Sequence, residues 1–119
     1  METTLTHKHC VPCEGGVPRL RGEPAQRLLD ELDQWQLADD EHHLRRVFVF
    51  PDFATALDFI NRIGAIAEEE GHHPDLHLSW GRVEAELWTH AIDGLSENDF
   101  ILAAKIDALP RTSLTAKPD

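Results

Sequence analysis

The sequence predicts an α+β domain: a four-stranded antiparallel sheet with three helices packed on one face. Three observations predict it. Hydrophobic residues switch between helical spacing and strict alternation in the order helix, strand, strand, helix, strand, strand, helix. The strands fall in local pairs separated by turns or helices, which implies antiparallel pairing with the helices gathered on one side. Every strand pattern has one apolar face for those helices to cover. A chain of 119 residues fits one such domain and can bury an ordinary core without disulfides or a metal.

Residues 1–22 read as a Pro/Gly-containing arm, 23–110 as the folded domain and 111–119 as a tail. Pro24 stands where the first turn of a helix accepts it, and Leu28, Leu29 and Leu32 share a face, so a short helix is expected from about Pro24 to Asp33. Trp35-Gln36-Leu37 alternates as a short strand, and Asp39-Asp40-Glu41 is polar enough for a turn. His43 to Phe50 is a β-branched and aromatic strand with Val47 and Val49 opposed to Phe48 and Phe50. After Pro51-Asp52, the positions Phe53, Ala56, Leu57, Ile60, Gly64 and Ala67 predict the main helix over 53–70, and Gly71 supplies its left-handed stop. Glu68-Glu69-Glu70 runs against the helix dipole, with two of the three expected to be solvated. Leu76, Leu78 and Trp80, then Val83, Ala85 and Leu87, predict a hairpin turned at Gly81. The opposite face, with Glu84, Glu86 and Trp88, is left to solvent or a partner. Ser96 and Asp99 resemble a capping box, opening a final helix that runs through Phe100 to Leu109.

Composition removes several classes of function. With 11 Lys plus Arg against 22 Asp plus Glu, the net charge of −11 repels nucleic acid and anionic membranes unless basic residues cluster. The nearest thing to a cluster, Arg45-Arg46, sits in a strand pattern and is expected on a solvated face. No apolar run approaches the roughly 18 residues of a membrane span, and Met1 to His9 lacks the apolar centre of a secretory signal, which places the chain in the cytoplasm. Cys10 and Cys13 form one CxxC, half of a zinc site for which His7 and His9 are the candidate remaining ligands. Without a second CxxC, the expectation is a solvent-exposed, reduced thiol pair, and no metal.

The chemistry concentrates at His72-His73-Pro74, with His90 two strands later and Asp99 beyond. The histidine pair follows a helix end and His90 ends a strand, so all three can meet at one rim of the sheet. Imidazoles titrate near neutrality, which suits proton transfer or metal ligation. Adjacent side chains in extended chain diverge, so His72 and His73 are poor partners for one tetrahedral ion and are expected to do different jobs. Glu68, one helical turn before His72, is placed to orient that imidazole. Asp99 is expected first as a helix cap that orders the site loop. Trp80 and Trp88 can border a flat ring, with Trp80 the better candidate for a structural role.

Glu68, His72-His73-Pro74, Trp80, Thr89-His90 and Asp99, continued by Gly94-Leu95-Ser96-Glu97 and Phe100 to Asp107, resemble the signature of the pterin-4a-carbinolamine dehydratases, also called 4a-hydroxytetrahydrobiopterin dehydratases. The likeness covers roughly Leu28 to Leu109. It implies a hydro-lyase without a cofactor, which dehydrates the 4a-hydroxy pterin released by an aromatic amino acid hydroxylase to the quinonoid dihydropterin. It also implies a homodimer or homotetramer. On this resemblance His72 and His90 share the acid and base roles, His73 mainly binds the pterin, and Glu68, Pro74, Trp80, Thr89 and Asp99 bind or support. Leu76, His77, Leu78 and Trp88 depart from the animal members, at positions that bear on contacts to the ring. The alternatives are a non-catalytic dimeric binding module of the same fold, or a protein for another, molybdopterin-related pterin.

Overall fold

A computed structural model, which describes residues 4–11, 18–38 and 41–110, has four strands and three α-helices in the expected order. They are α1 (Glu23–Leu29), β1 (Gln36–Ala38), β2 (His43–Val49), α2 (Phe53–Glu70), β3 (Asp75–Ser79), β4 (Arg82–Leu87) and α3 (Glu97–Asp107). Two single 3₁₀ turns, Thr4–His7 and His90–Ile92, were not expected; the second corrects the strand end predicted at His90, since β4 stops at Leu87 and His90 opens the turn that follows. The sheet is antiparallel throughout, in the order β1-β2-β4-β3. The α+β reading therefore holds. Asp39-Asp40, Cys13 and the tail lie outside the described residues.

Period-two alternation decides which side chains the helices cover. Leu44, Phe48 and Phe50 from β2 and its end are buried with Val83, Ala85 and Leu87 of β4, against Ala56, Phe59 and Ile63 of α2 and Phe100 to Ala104 of α3. Phe59 is the hinge of this packing: its ring lies 4.8 Å from that of Phe48 and 5.1 Å from that of Phe50. Truncating so large a buried ring to alanine costs about 3–5 kcal/mol. Val47 and Val49 face the other way, as alternation requires.

Two expectations are corrected here. The stripe of α2 that meets the core is Ala56, Phe59, Ile63 and Ala67, while Phe53 and Leu57 are exposed. The helix carries two apolar stripes about one residue's rotation apart, and a single sheet face can cover only one. Arg46 is not solvated. Its position in β2 shares the covered face with Leu44 and Phe48, so its guanidinium is buried, donates to Asp107 Oδ1 and to the carbonyl of Asp33 at 2.7 Å each, and lies over the Phe48 ring. Arg45, one residue earlier, does lie on the open face, where it forks onto Glu84 at 2.8 and 3.0 Å.

Local chemistry brings the chain ends of α2 and β4 together. Asp52 caps α2 by accepting the Thr55 N–H at 2.8 Å. Gly71 ends it at φ 66°, a left-handed conformation that side chains resist, and so turns His72 out of the helical path. At the far end of the β3–β4 hairpin Gly81, at φ 67°, comes so close to Phe50 that a Cβ would sit 2.8 Å from its carbonyl oxygen.

Candidate active site

His72, His73 and His90 line one cleft, of about 260 Å³, together with Gly71, Trp88, Thr89, Ala91, Asn98 and Val11. That volume is just below the range of about 300–1,000 Å³ usual for small-molecule sites. The loop after α2 brings the histidine pair, and the 3₁₀ turn after β4 brings His90. The rim predicted from the sequence is thus formed.

Asp99 is the fixed point of the site. Its side chain is 0% exposed, and its carboxylate accepts from the Ser96 N–H at 3.0 Å, from Thr89 Oγ1 at 2.8 Å and from His72 Nε2 at 2.5 Å. Because the Thr89 hydroxyl proton goes to Asp99, the 2.7 Å contact between Thr89 and Ser96 is a bond donated by Ser96 Oγ. The capping box is present as expected. Its acid does more than cap, since its second oxygen holds an imidazole. A carboxylate that accepts the Nε2–H leaves His72 Nδ1 as the basic nitrogen of the neutral ring.

The other acid is reassigned. Glu68 faces His73, not His72: its Oε2 lies 2.6 Å from His73 Nε2. The one-turn register that would join Glu68 to His72 ends where Gly71 leaves the helix, and the redirected chain puts the second histidine over the acid. This pair is open to solvent, with side chains 60% and 80% exposed for His73 and Glu68, whereas His72 is 12% exposed.

His90 is held by stacking. Its ring lies 4.0 Å from that of Trp88, and on the other side of Trp88 the His43 ring lies at 4.5 Å. Trp88 Nε1 donates to Asp75 Oδ2 at 3.1 Å and His43 Nδ1 lies 2.7 Å from Glu86 Oε2, which ties the stack to the open sheet face. Trp88 borders the cleft. Trp80 does not, for it is 72% exposed at the hairpin tip, the opposite end of β3 and β4. Pro74 leads directly into β3 and lies outside the cleft lining, whereas Thr89, though buried, is part of that lining.

His43, Asn98 and Val11 were not legible as site residues. His43 lies far away in sequence, and only the β2–β4 register brings it beside Trp88. Val11 belongs to a docked arm, and Asn98, at the start of α3, is a side chain that holds it. Leu5 is buried in the core, Cys10 N–H donates to Glu70 Oε1 at 2.7 Å, and Glu70 is buried too, so the expected exposed thiol arm is corrected for Cys10. Burial, with Glu70 and Asp99 nearby, pushes the Cys10 thiol up to about 12, which keeps it protonated and unreactive at neutral pH. Among the described residues no group of three or more His, Cys, Asp or Glu is arranged to hold a metal ion.

A family model described as pterin 4 alpha carbinolamine dehydratase matches residues 18–109. Among curated proteins, a relative from Rubrobacter xylanophilus is 56% identical over 105 residues, 88% of this chain and 97% of the relative, and one from Rickettsia canadensis is 54% identical over 107 residues, 89% and 97%. Both are provisionally named pterin-4-alpha-carbinolamine dehydratase. Among solved structures, a transcriptional coactivator/pterin dehydratase from Brucella melitensis is similar at a TM-score of 0.72 and 35% identity, over 76% of this chain and 97% of that one. A pterin dehydratase-like protein described as a RuBisCO assembly factor in the alpha-carboxysome is similar at 0.58 and 27%, over 68% and 94%.

Proposed function

Since the chain belongs to the pterin 4 alpha carbinolamine dehydratase family, we propose that it is a hydro-lyase that dehydrates a 4a-hydroxytetrahydropterin to the quinonoid dihydropterin by histidine acid–base catalysis. The observation that carries this reading is the His72–Asp99 pair, a cleft-lining imidazole fixed by a fully buried carboxylate. In the forward reaction a protonated imidazole gives its proton to the C4a hydroxyl, the C4a–O bond breaks and water leaves. A neutral imidazole then takes the proton from a ring nitrogen as the C=N bond forms. His72 and His90 carry these two roles, and each proton gained is matched by one released. Such transfer contributes about 10²- to 10⁴-fold in rate. His73 binds the pterin, and Trp88 offers the flat ring an aromatic border.

On the same reading the protein acts in tetrahydrobiopterin recycling after an aromatic amino acid hydroxylase, in the cytoplasm. No described helix is long and apolar enough to cross a membrane. The exposed Phe53 and Leu57 on α2 support assembly into a homodimer or homotetramer.

Stopped-flow absorbance of 4a-hydroxytetrahydropterin decay, with wild type and His72→Ala, His73→Ala and His90→Ala in the presence of chelator, tests the reading. Acceleration that survives chelation, falls about 10²-fold or more in the first and last variants and less in the second is the expected result. No acceleration by folded wild type sinks it. A second reading, a binding module of the same fold, draws on the coactivator and assembly-factor titles of the two similar structures. It predicts a partner phenotype that His90→Ala leaves intact.

A further inference from the structure

The arm before the domain passes the cleft at Val11, and two buried polar side chains hold it there by its main chain. Asn98 accepts the Val11 N–H at 3.0 Å and donates to the Val11 carbonyl at 2.6 Å, so one carboxamide satisfies both backbone groups as a neighbouring strand would. One residue earlier, Glu70 accepts the Cys10 N–H at 2.7 Å. Both anchors are buried. Their positions matter: Glu70 is the last residue of α2, two before His72, and Asn98 is next to Asp99. The element ends that present the His72–Asp99 pair therefore also grip the arm. Farther back, Leu5 is buried in the core, Lys8 pairs with Glu97 at 2.6 Å and Lys105 donates to the Thr6 carbonyl at 3.3 Å. With its N–H and carbonyl both held by Asn98, Val11 is 63% exposed and lines the cleft.

We propose that Val11 is a specificity-determining residue of this cleft and that Asn98 and Glu70 are positioning residues that hold it there; the identity of the ligand rests on the dehydratase reading above. A branched aliphatic side chain forms no hydrogen bonds, so it reads bulk and polarity. Against a ring whose chemistry occurs at the histidines, it discriminates among pterins by the bulk of the substituent on the reduced ring, raising KM for a longer one relative to a shorter one while still admitting the dihydroxypropyl chain of tetrahydrobiopterin. Leu5 already secures the arm to the core, so a carboxamide that bonds both backbone groups of Val11 fixes that one residue beyond what tethering the arm requires. That arrangement is explained if Val11 must stand in one place.

The experiment measures kcat and KM of the full chain for two 4a-hydroxytetrahydropterins, with a 6-methyl or a 6-dihydroxypropyl group. The variants are Val11→Gly, Val11→Phe and Asn98→Ala, with thermal melts to verify folding. Hydrophobic pockets discriminate small differences in bulk by about 10- to 200-fold. The ratio of KM values, dihydroxypropyl over methyl, is expected to fall on the order of tenfold in Val11→Gly and to rise similarly in Val11→Phe, with kcat nearly unchanged. Asn98→Ala is expected to shift the ratio in the direction of Val11→Gly and to speed amide hydrogen exchange at Val11. A ratio unmoved in both Val11 variants overturns the proposal. If wild type dehydrates neither compound, the dehydratase reading fails, and calorimetric titration with the two corresponding 7,8-dihydropterins then decides the proposal separately. The same shift in the Kd ratio upholds it; an unmoved ratio, or no binding of either to folded protein, overturns it.

Discussion

Two neighbouring histidines each meet a carboxylate, at 2.5 Å for His72 and Asp99 and 2.6 Å for His73 and Glu68, yet the two pairs are different physical objects. The first lies under the cleft, and its acid also holds a helix start and a threonine. The second stands in solvent. Water screens an exposed pair and entropy opposes its fixed geometry, so its net value is about 0–1 kcal/mol. A buried pair is costly to form but more costly to break, on the order of 3–5 kcal/mol when one partner is removed. Distance is therefore a poor guide to which histidine is controlled by its acid. Burial and the remaining partners of the acid decide it.

The sharpest way to break this comparison is Asp99→Ala. It orphans the Ser96 N–H and the Thr89 hydroxyl as well as His72, and a loss on the order of 3–5 kcal/mol is expected in the denaturant midpoint, with dehydration falling about 10²-fold or more. Asp99→Asn separates the two effects. An amide oxygen still accepts the Ser96 N–H, so most of the stability should survive while activity falls with the loss of the carboxylate charge beside His72. If Asp99→Asn kept full activity, the acid would be a cap and nothing more.

Arg46 and Asp107 provide a control, a buried pair away from the cleft at 2.7 Å. Arg46→Ala leaves a buried carboxylate beside Trp35 Nε1 and is expected to lower stability by about 3 kcal/mol. The rate of the folded fraction should not change. A loss of stability similar to that of Asp99→Ala with no loss of kcat would show that burial sets the energetic scale and position sets the function.

Glu70 gives a smaller, pH-dependent effect. Burial alone would raise its pKa, but hydrogen bonds from Cys10 N–H and His9, together with the Lys105 ammonium, outweigh it and hold the carboxyl below its ordinary value. A folded pKa below the unfolded one means that the arm is stabilised fully above the unfolded value, about 4.3, and loses this as pH falls through the lower folded value. Amide exchange at Cys10 and Val11 should therefore accelerate, beyond its intrinsic pH dependence, only in that acid range. Glu70→Gln should flatten the transition and lower stability at neutral pH by about 1 kcal/mol.

Much of this was legible because it is periodic. Alternation set Phe48 apart from Val47 and Val49 and put Val83, Ala85 and Leu87 on one face, and Gly71, Ser96 and Asp99 announced helix ends by their chemistry. The cleft histidines were legible for a different reason, as titratable residues at element ends and as part of a family signature. The sequence could not show which acid met which histidine, because the left-handed turn at Gly71 resets a register that helical spacing carries only as far as Glu70. Nor could it show that Arg46 was buried, since its acid, Asp107, is 61 residues away. The docked arm was hidden most completely. Its grip on Asn98 is through the main chain of Val11, and backbone hydrogen bonds leave no mark on side-chain identity.

Glu68→Gln is the mildest test, and it probes the exposed half of the comparison. The side chain keeps its length and an oxygen for any hydrogen bond, and loses only its charge toward His73. With both groups more than half exposed, stability should shift by less than about 0.5 kcal/mol. Any effect of the charge on ligand binding should weaken with added salt, because an exposed pair is screened within about 10 Å at 0.1 M. If His73 mainly binds the pterin, Glu68→Gln should raise KM a few-fold at low ionic strength, leave kcat unchanged, and show no difference from wild type in high salt. A fall in kcat that salt does not erase would mean that the Glu68–His73 pair tightens when ligand closes over it, and that the two histidines share the proton chemistry more evenly than their burial in the free protein implies.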